Sequence, residues 1–306
     1  MKPRLKHRME YGAFRAALGV LNALPQGAAR TVGARLASLG NRPLRIRADH
    51  VRQNLERAFP ENSDEWRRDI AAQSYAHLGR EMIAMMQLSR MSPEELIART
   101  EVADYERVGR MMRESAGGTV IVGGHFGNWE IGSAAMAARG YAVNLIAQRQ
   151  GNPLFDEYLV ATRRRLGINV IDRGKASKLG LRALRRGELL VFGADQNAGR
   201  NGIFVPFFGH PASTHRGPAL LAYRTRALFF LAVPLRVADG HWRIELEQID
   251  YDADGDAEDV VYRLTADFTA RLEDAVRRTP EQYLWHHRRW KTRPPAGQER
   301  PPSSQV

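Results

Sequence analysis

The sequence contains no cysteine. That excludes a disulfide framework, a thiolate nucleophile and a cysteine-ligated metal, so any nucleophile must be oxygen or nitrogen. A G-x-S-x-G elbow is also missing, which removes the usual serine nucleophile of acyl-transferring hydrolases. The histidines form no H-E-x-x-H, and the adjacent His286 and His287 point apart in any regular structure, so no metal or other cofactor is expected. No run reaches the ~18–20 apolar residues of a membrane span. The nearest, residues 9–24, is interrupted by Glu10 and Arg15. Its basic lead (Lys2, Arg4, Lys6, Arg8) is followed by neither a strong apolar core nor a small-residue cleavage site, which favours a retained interfacial helix over a signal peptide.

What is present is a 306-residue chain with 43% apolar residues, enough to bury a substantial core, and a formal charge of +12. Such a charge attracts nucleic acid, an anionic membrane surface or an acidic partner protein. A nucleic-acid module would interleave aromatics with its basic residues or carry a zinc finger or helix-turn-helix, and neither is evident.

The chain divides into three regions: 1–47, an amphipathic helical hairpin; 48–295, an α/β domain; and 296–306, a Pro-rich disordered tail. In the hairpin, helices over 10–24 and 26–39 flank Pro25, and Phe14, Leu18 and Leu21 share a face. That face either covers its own domain or anchors the chain at a membrane surface. Residues 48–113 read as helices, with N-caps at Ser63 and Ser92. From Gly118 onward short apolar runs alternate with helical segments. Strands are expected at 119–124, 142–147, 168–171, 188–193 and 228–235, with an antiparallel edge strand at 241–250 and a closing helix at 258–278. Residues 203–208, with three phenylalanines and no helical period, read as a core strand with one face available to an acyl groove. This is an α/β fold with a mixed, largely parallel sheet covered by helices and an N-terminal helical region, and its active site should lie beyond the strands' C-terminal ends.

The most informative stretch is T-V-I-V-G-G-H-F-G-N-W-E-I-G, residues 119–132. If His125 ends the strand, Phe126 and Gly127 turn, and Asn128 caps a helix, Glu130 falls in the first helical turn. The helix N-terminus favours its ionised carboxylate, which can hold one ring nitrogen of His125 while the other accepts a proton. This is the base and orienter of a triad without its serine, so a substrate hydroxyl would be the nucleophile. The alternative is a satisfied structural pair. By the same strand-end logic Arg149 emerges at the edge that carries His125, where a guanidinium could bind a phosphate or developing oxyanion, or form a surface salt bridge. Asp195 and Gln196 end another strand there, and Arg173 ends a third.

G-H-F-G-N-W-E, with its H-x4-E spacing, resembles the signature of the bacterial lipid A late acyltransferases, a group that includes the mycobacterial phosphatidylinositol mannoside acyltransferases. The resemblance continues through A-Q-R-Q-G-N-P-L-F-D (147–156), A-D-Q-N-A-G-R-N-G-I-F-V-P-F-F-G (194–209), N-L-E-R-A-F-P (54–60), and the end of the chain (P-E-Q-Y-L-W and R-R-W-K-T-R-P). It implies an O-acyltransferase in which His125 is the general base and Glu130 its partner, with Arg149, Asp195 and Gln196 beside them. It also implies an acyl carrier protein or coenzyme A thioester as donor. The acceptor would be a lipid A precursor or related glycolipid, with a lysophospholipid or phosphatidylinositol mannoside as alternative. The implied location is the cytoplasmic face of the inner membrane, peripheral or monotopic, because the N-terminal segment is shorter and more polar than the family's usual span.

Overall fold

The computed structural model describes residues 3–295; the tail expected at 296–306 lies outside them. Helices α1 (Leu5–Ala23), α2 (Gln26–Asn41), α3 (Ala48–Ala58), α4 (Asp64–Gln87) and α5 (Pro93–Arg99) lead into β1 (Thr100–Val102) and α6 (Tyr105–Glu114). The alternating part runs β2 (Thr119–Gly123), α7 (Trp129–Ala138), β3 (Val143–Ala147), α8 (Pro153–Arg165), β4 (Ile168–Asp172), α9 (Leu181–Arg185) and β5 (Leu189–Gly193). A hairpin of β6 (Ile203–Phe207) and β7 (His210–Thr214), then α10 (Gly217–Thr225), β8 (Leu228–Ala238), β9 (His241–Gln248) and α11 (Ala257–Arg278) complete it.

Among the described residues the main sheet has seven strands in the order β1-β9-β8-β2-β5-β3-β4. Strands β2, β3, β4, β5 and β8 are parallel, and β9 is antiparallel to β8. Helices cover both faces, which is why the central strands are continuously apolar rather than alternating. Val120, Val122, Leu190 and Phe229 face one core with α10 and α11; Ile121, Leu189 and Phe230 face a second with α5, α6 and α7.

Two expectations need correction. Strand β9 is antiparallel but not an edge, because β1 pairs beyond it. Residues 203–207 do not join the main sheet; they form the separate β6–β7 hairpin, where Phe207 is buried while Ile203 and Phe204 are half-buried.

The N-terminal helices lie on this body. Helix α2 crosses α4 at Gly33 and Gly79, where a Cβ on Gly79 would come within 2.2 Å of the Gly33 carbonyl oxygen, so only glycine permits the approach. On α1, Phe14 packs edge-on against Phe155 and Tyr158 of α8 at ring separations of 5.0 and 5.2 Å, and Leu18 is buried. The Phe14–Leu18 face therefore covers the domain. The exposed apolar residues are others: Leu5, Met9 and Val20 on α1, Leu36 and Leu39 on α2, and Leu44 and Ile46 beyond. No helix among the described residues is long and apolar enough to cross a membrane.

Candidate active site

Strands β2 and β5 are parallel neighbours in register, with Gly123 opposite Gly193. Two residues beyond each glycine the chains place His125 and Asp195 side by side. One Asp195 oxygen lies 2.7 Å from His125 Nδ1, and the other accepts the His125 backbone N–H at 2.8 Å. The carboxylate thus fixes both ring and backbone. It assigns the proton to Nδ1 and leaves the Nε2 lone pair toward the cleft, where the Gln196 side-chain amide stands 3.2 Å away. Glycine at 193 eases this approach, since a Cβ there would sit 3.2 Å from the imidazole Cε1 and crowd the ring.

Burial works against a charge on His125, but the Asp195 charge and hydrogen bond, with a smaller contribution from the Glu130 charge, hold its pKa above the ordinary histidine value. Burial likewise opposes ionisation of Asp195, and His125, its backbone N–H and the Arg289 charge outweigh it, keeping the carboxylate below its usual range. Each partner favours the other's charged form, as an orienting carboxylate does for a general base.

The turn after His125 is pinned from three sides. Gly127 has φ +51°, and a Cβ there would fall 1.8 Å from the Pro234 carbonyl oxygen of β8. Its N–H donates to Gln282, the Asn128 N–H donates to Pro234, and the Leu284 N–H donates to the His125 carbonyl, each at 2.9–3.1 Å. The Asn128 side chain caps α7 by accepting from the Ile131 N–H at 3.0 Å and donates to Glu81 Oε2 at 2.9 Å. Glu81, 1% exposed in α4, also accepts from Trp242 Nε1 (2.9 Å) and Arg236 Nε (2.6 Å). An anion so buried is tolerable only with all of these donors. Through the Glu81 carboxylate the helical layer is thereby tied to the turn that follows His125.

Glu130 does not hold the histidine ring. Its buried carboxylate takes a two-point grip from Arg163 of α8, with Nε at 3.0 Å from Oε2 and Nη2 against Oε1. The expected His125–Glu130 pair is therefore corrected to His125–Asp195. The first turn of α7 directs position 130 toward α8, away from the ring, and the in-register β5 end supplies a carboxylate at contact distance. Glu130 acts on His125 only through its charge.

Arg149 is not brought to His125. Its side chain is 73% exposed and pairs with Asp172 at the end of β4 (3.0 Å), because β3 is separated from β2 by β5 and its exit faces the β4 edge. Arg173 follows β4 and is also exposed. Of the predicted set, the structure gathers His125, Asp195 and Gln196, with Glu130 one contact further out. Arg163 and Glu81 were not singled out as site residues in the sequence, and Asn128 was expected as the helix cap but not as a partner of Glu81. Arg163 sits inside the run Arg163–Arg165, which reads as a solvated face, and Glu81 lies mid-helix with no local partner.

Below the dyad an apolar slot runs between the sheet and α7. Gly123, Gly193 and His125 stand at one end; Ile121, Leu145 and Val191 form the sheet side, and Trp129, Ser133 and Met136 the helix side. A base at one end of a narrow apolar space is a geometry for carrying out a reaction at the head of a hydrocarbon chain.

The family model for bacterial lipid A biosynthesis acyltransferase matches residues 1–292. The chain is 31% identical over 277 residues to a lipid A biosynthesis lauroyltransferase of Escherichia coli, covering 89% of this chain and 88% of that protein. It is 30% identical over 271 residues to a lipid A biosynthesis palmitoleoyltransferase of the same organism (86% and 85%). It is 24% identical over 225 residues to a phosphatidylinositol mannoside acyltransferase of Mycolicibacterium smegmatis (71% and 72%).

Proposed function

The chain belongs to the bacterial lipid A biosynthesis acyltransferase family and is an acyltransferase, and from that premise we propose that it moves a fatty acyl chain from a thioester donor to a hydroxyl of a lipid A precursor, with His125 as general base oriented by Asp195. The observation that carries this reading is the His125–Asp195 contact at the end of an apolar slot. Nε2 takes the proton of the acceptor hydroxyl as its oxygen attacks the thioester carbonyl. The new C–O bond forms, the C–S bond breaks, and the imidazolium returns the proton to the leaving thiolate. Gln196, beside Nε2, is placed to order the incoming hydroxyl. The donor is an acyl carrier protein or coenzyme A thioester. Incubating purified protein with both thioesters and extracted lipid acceptors, and reading acylated product by mass spectrometry, tests the reaction. A thioester consumed by neither lipid A precursor nor mannosylated inositol lipid would remove it.

The slot is read as the acyl-chain site. Each methylene buried there contributes roughly 0.8 kcal/mol, so its length sets chain preference. Ser133→Phe, which fills the slot from α7, should reduce kcat/KM for a long-chain donor relative to a short one by about tenfold or more. An unchanged ratio across donors of increasing length would mean that the chain lies elsewhere.

The exposed apolar residues on α1, α2 and the following loop support peripheral or monotopic attachment to a membrane surface, which we propose is the cytoplasmic face of the inner membrane. Leu36→Glu with Leu44→Glu removes two exposed leucines without touching the core. Binding to vesicles with anionic lipid should weaken by about tenfold or more, given roughly 1.5–3 kcal/mol per fully buried leucine. Equal sedimentation of variant and wild type with vesicles would place the membrane contact on another face.

A further inference from the structure

We propose that a cationic cleft between α3, the β6–β7 turn and the C-terminal segment binds a phosphate-bearing group of one of the substrates. For the word substrate it rests on the acyl-transfer reading; for the phosphate it does not. Two adjoining clefts of about 310 and 240 Å³ share Arg57, Trp290 and Lys291. Arg288, Arg293, His50 and His210 complete their cationic and titratable lining, and no aspartate or glutamate lines either cleft. Elsewhere on α3 arginines are neutralised locally, Arg52 by Glu56 and, just before the helix, Arg45 by Asp49. Among the described residues Arg57, Arg288, Lys291 and Arg293 form no ion pair. Four positive charges are thus gathered in a concavity whose described lining holds no acidic side chain, an arrangement that favours entry of an anion.

The cleft is partly preorganised. The Arg57 guanidinium lies over the Trp290 ring at 5.3 Å, and Trp290 packs on buried Phe207 at 5.7 Å. A guanidinium fork fixed in this way, next to a flexible ammonium, suits a tetrahedral, multiply charged phosphate. It is also tied to the catalytic loop. Thr292, which lines the first cleft, accepts from the Asn197 side chain at 3.0 Å, and the Asn197 N–H donates to His287 Nε2 at 3.0 Å. Asn197 directly follows Asp195 and Gln196, so the cleft wall and the His125 site are joined through one short loop, as they would be if both served the same substrate. Two sources share that chemistry, the phosphate of a thioester carrier and that of a phosphorylated glycolipid acceptor.

Calorimetric titration with inorganic pyrophosphate at about 0.15 M salt, where long-range surface attraction is screened, reads the site without any acyl transfer. Wild type should bind saturably. Arg57→Glu with Lys291→Glu should weaken binding by about tenfold or more, because charge-assisted bonds to the phosphate are lost and two repelling carboxylates take their place. Arg182→Glu with Arg185→Glu on α9, an equal change of net charge at exposed positions, should leave it unchanged, and Lys291→Ala is a milder check that cannot disturb the core. In transfer assays the Arg57/Lys291 variant should raise KM for a coenzyme A thioester but not for the same acyl N-acetylcysteamine thioester if the donor supplies the phosphate. If the acceptor supplies it, KM should rise for a phosphorylated acceptor and not for its dephosphorylated form. Non-saturating pyrophosphate binding, equal losses in the α9 control, or equal KM changes for phosphate-bearing and phosphate-free substrates would overturn the proposal. A protein that binds pyrophosphate as predicted yet transfers no acyl group would keep the cleft and lose the acyl-transfer reading.

Discussion

His125→Ala should reduce acyl transfer by roughly 10²- to 10⁴-fold, the contribution of a positioned general base. The loss should fall on kcat, because the imidazole acts on the hydroxyl proton in the transition state while the acyl chain is held by the apolar slot. The fold should survive: the ring is partly exposed at the end of β2, and the turn behind it is held by backbone bonds from Gly127, Asn128 and Leu284 that alanine leaves intact. Steady-state kinetics with a thermal melt on the same sample separate the two effects. A folded variant with wild-type turnover would exclude His125 as the base.

Asp195→Asn should be nearly as damaging and should also change the pH dependence. The base must be neutral to accept a proton, and Asp195 holds the His125 pKa above its ordinary value. In the wild type kcat/KM therefore falls as pH drops through that raised pKa. Removing the carboxylate charge lowers the histidine pKa, so the acidic limb of the profile should move to lower pH. The plateau should fall by about 10²-fold or more as the ring loses its fixed tautomer and the imidazolium its counter-charge. A general structural defect would lower the plateau without moving the limb. Glu130→Gln gives a contrast: it acts on His125 through charge alone, so its shift of the limb should be in the same direction and smaller.

The local geometry of residues 119–132 was legible in the sequence, but the His125–Glu130 pairing read from it does not form. An apolar run ending in Gly-Gly-His, a glycine turn and an asparagine cap place His125 at a strand end by rules that operate over a few residues, and the structure has that turn with Asn128 capping α7. The strand-end position of Asp195 followed the same rules. Its partnership did not, because which strands lie side by side depends on long-range packing. With β2 and β5 adjacent and in register, a carboxylate seventy residues away is nearer the ring than one five residues away. Arg149 fails for the same reason in reverse, since an intervening strand carries it to the β4 edge. The three-residue β1 is too short to show a period, and β7, with Pro211 and Ser213, lacks the β-branched and aromatic character of a strand. Buried Glu81 was invisible because its donors come from Asn128, Arg236 and Trp242, all remote in sequence.

The most direct test of the dyad is a double-mutant cycle on acyl transfer with His125→Ala, Asp195→Asn and the two combined. Residues that act as one unit are not additive, because once the base is gone its orienter has nothing to orient. The His125–Asp195 pairing predicts that the double variant is no slower than His125→Ala alone. Losses that multiply, so that removing Asp195 costs as much without the histidine as with it, would contradict the pairing and assign the carboxylate a separate role.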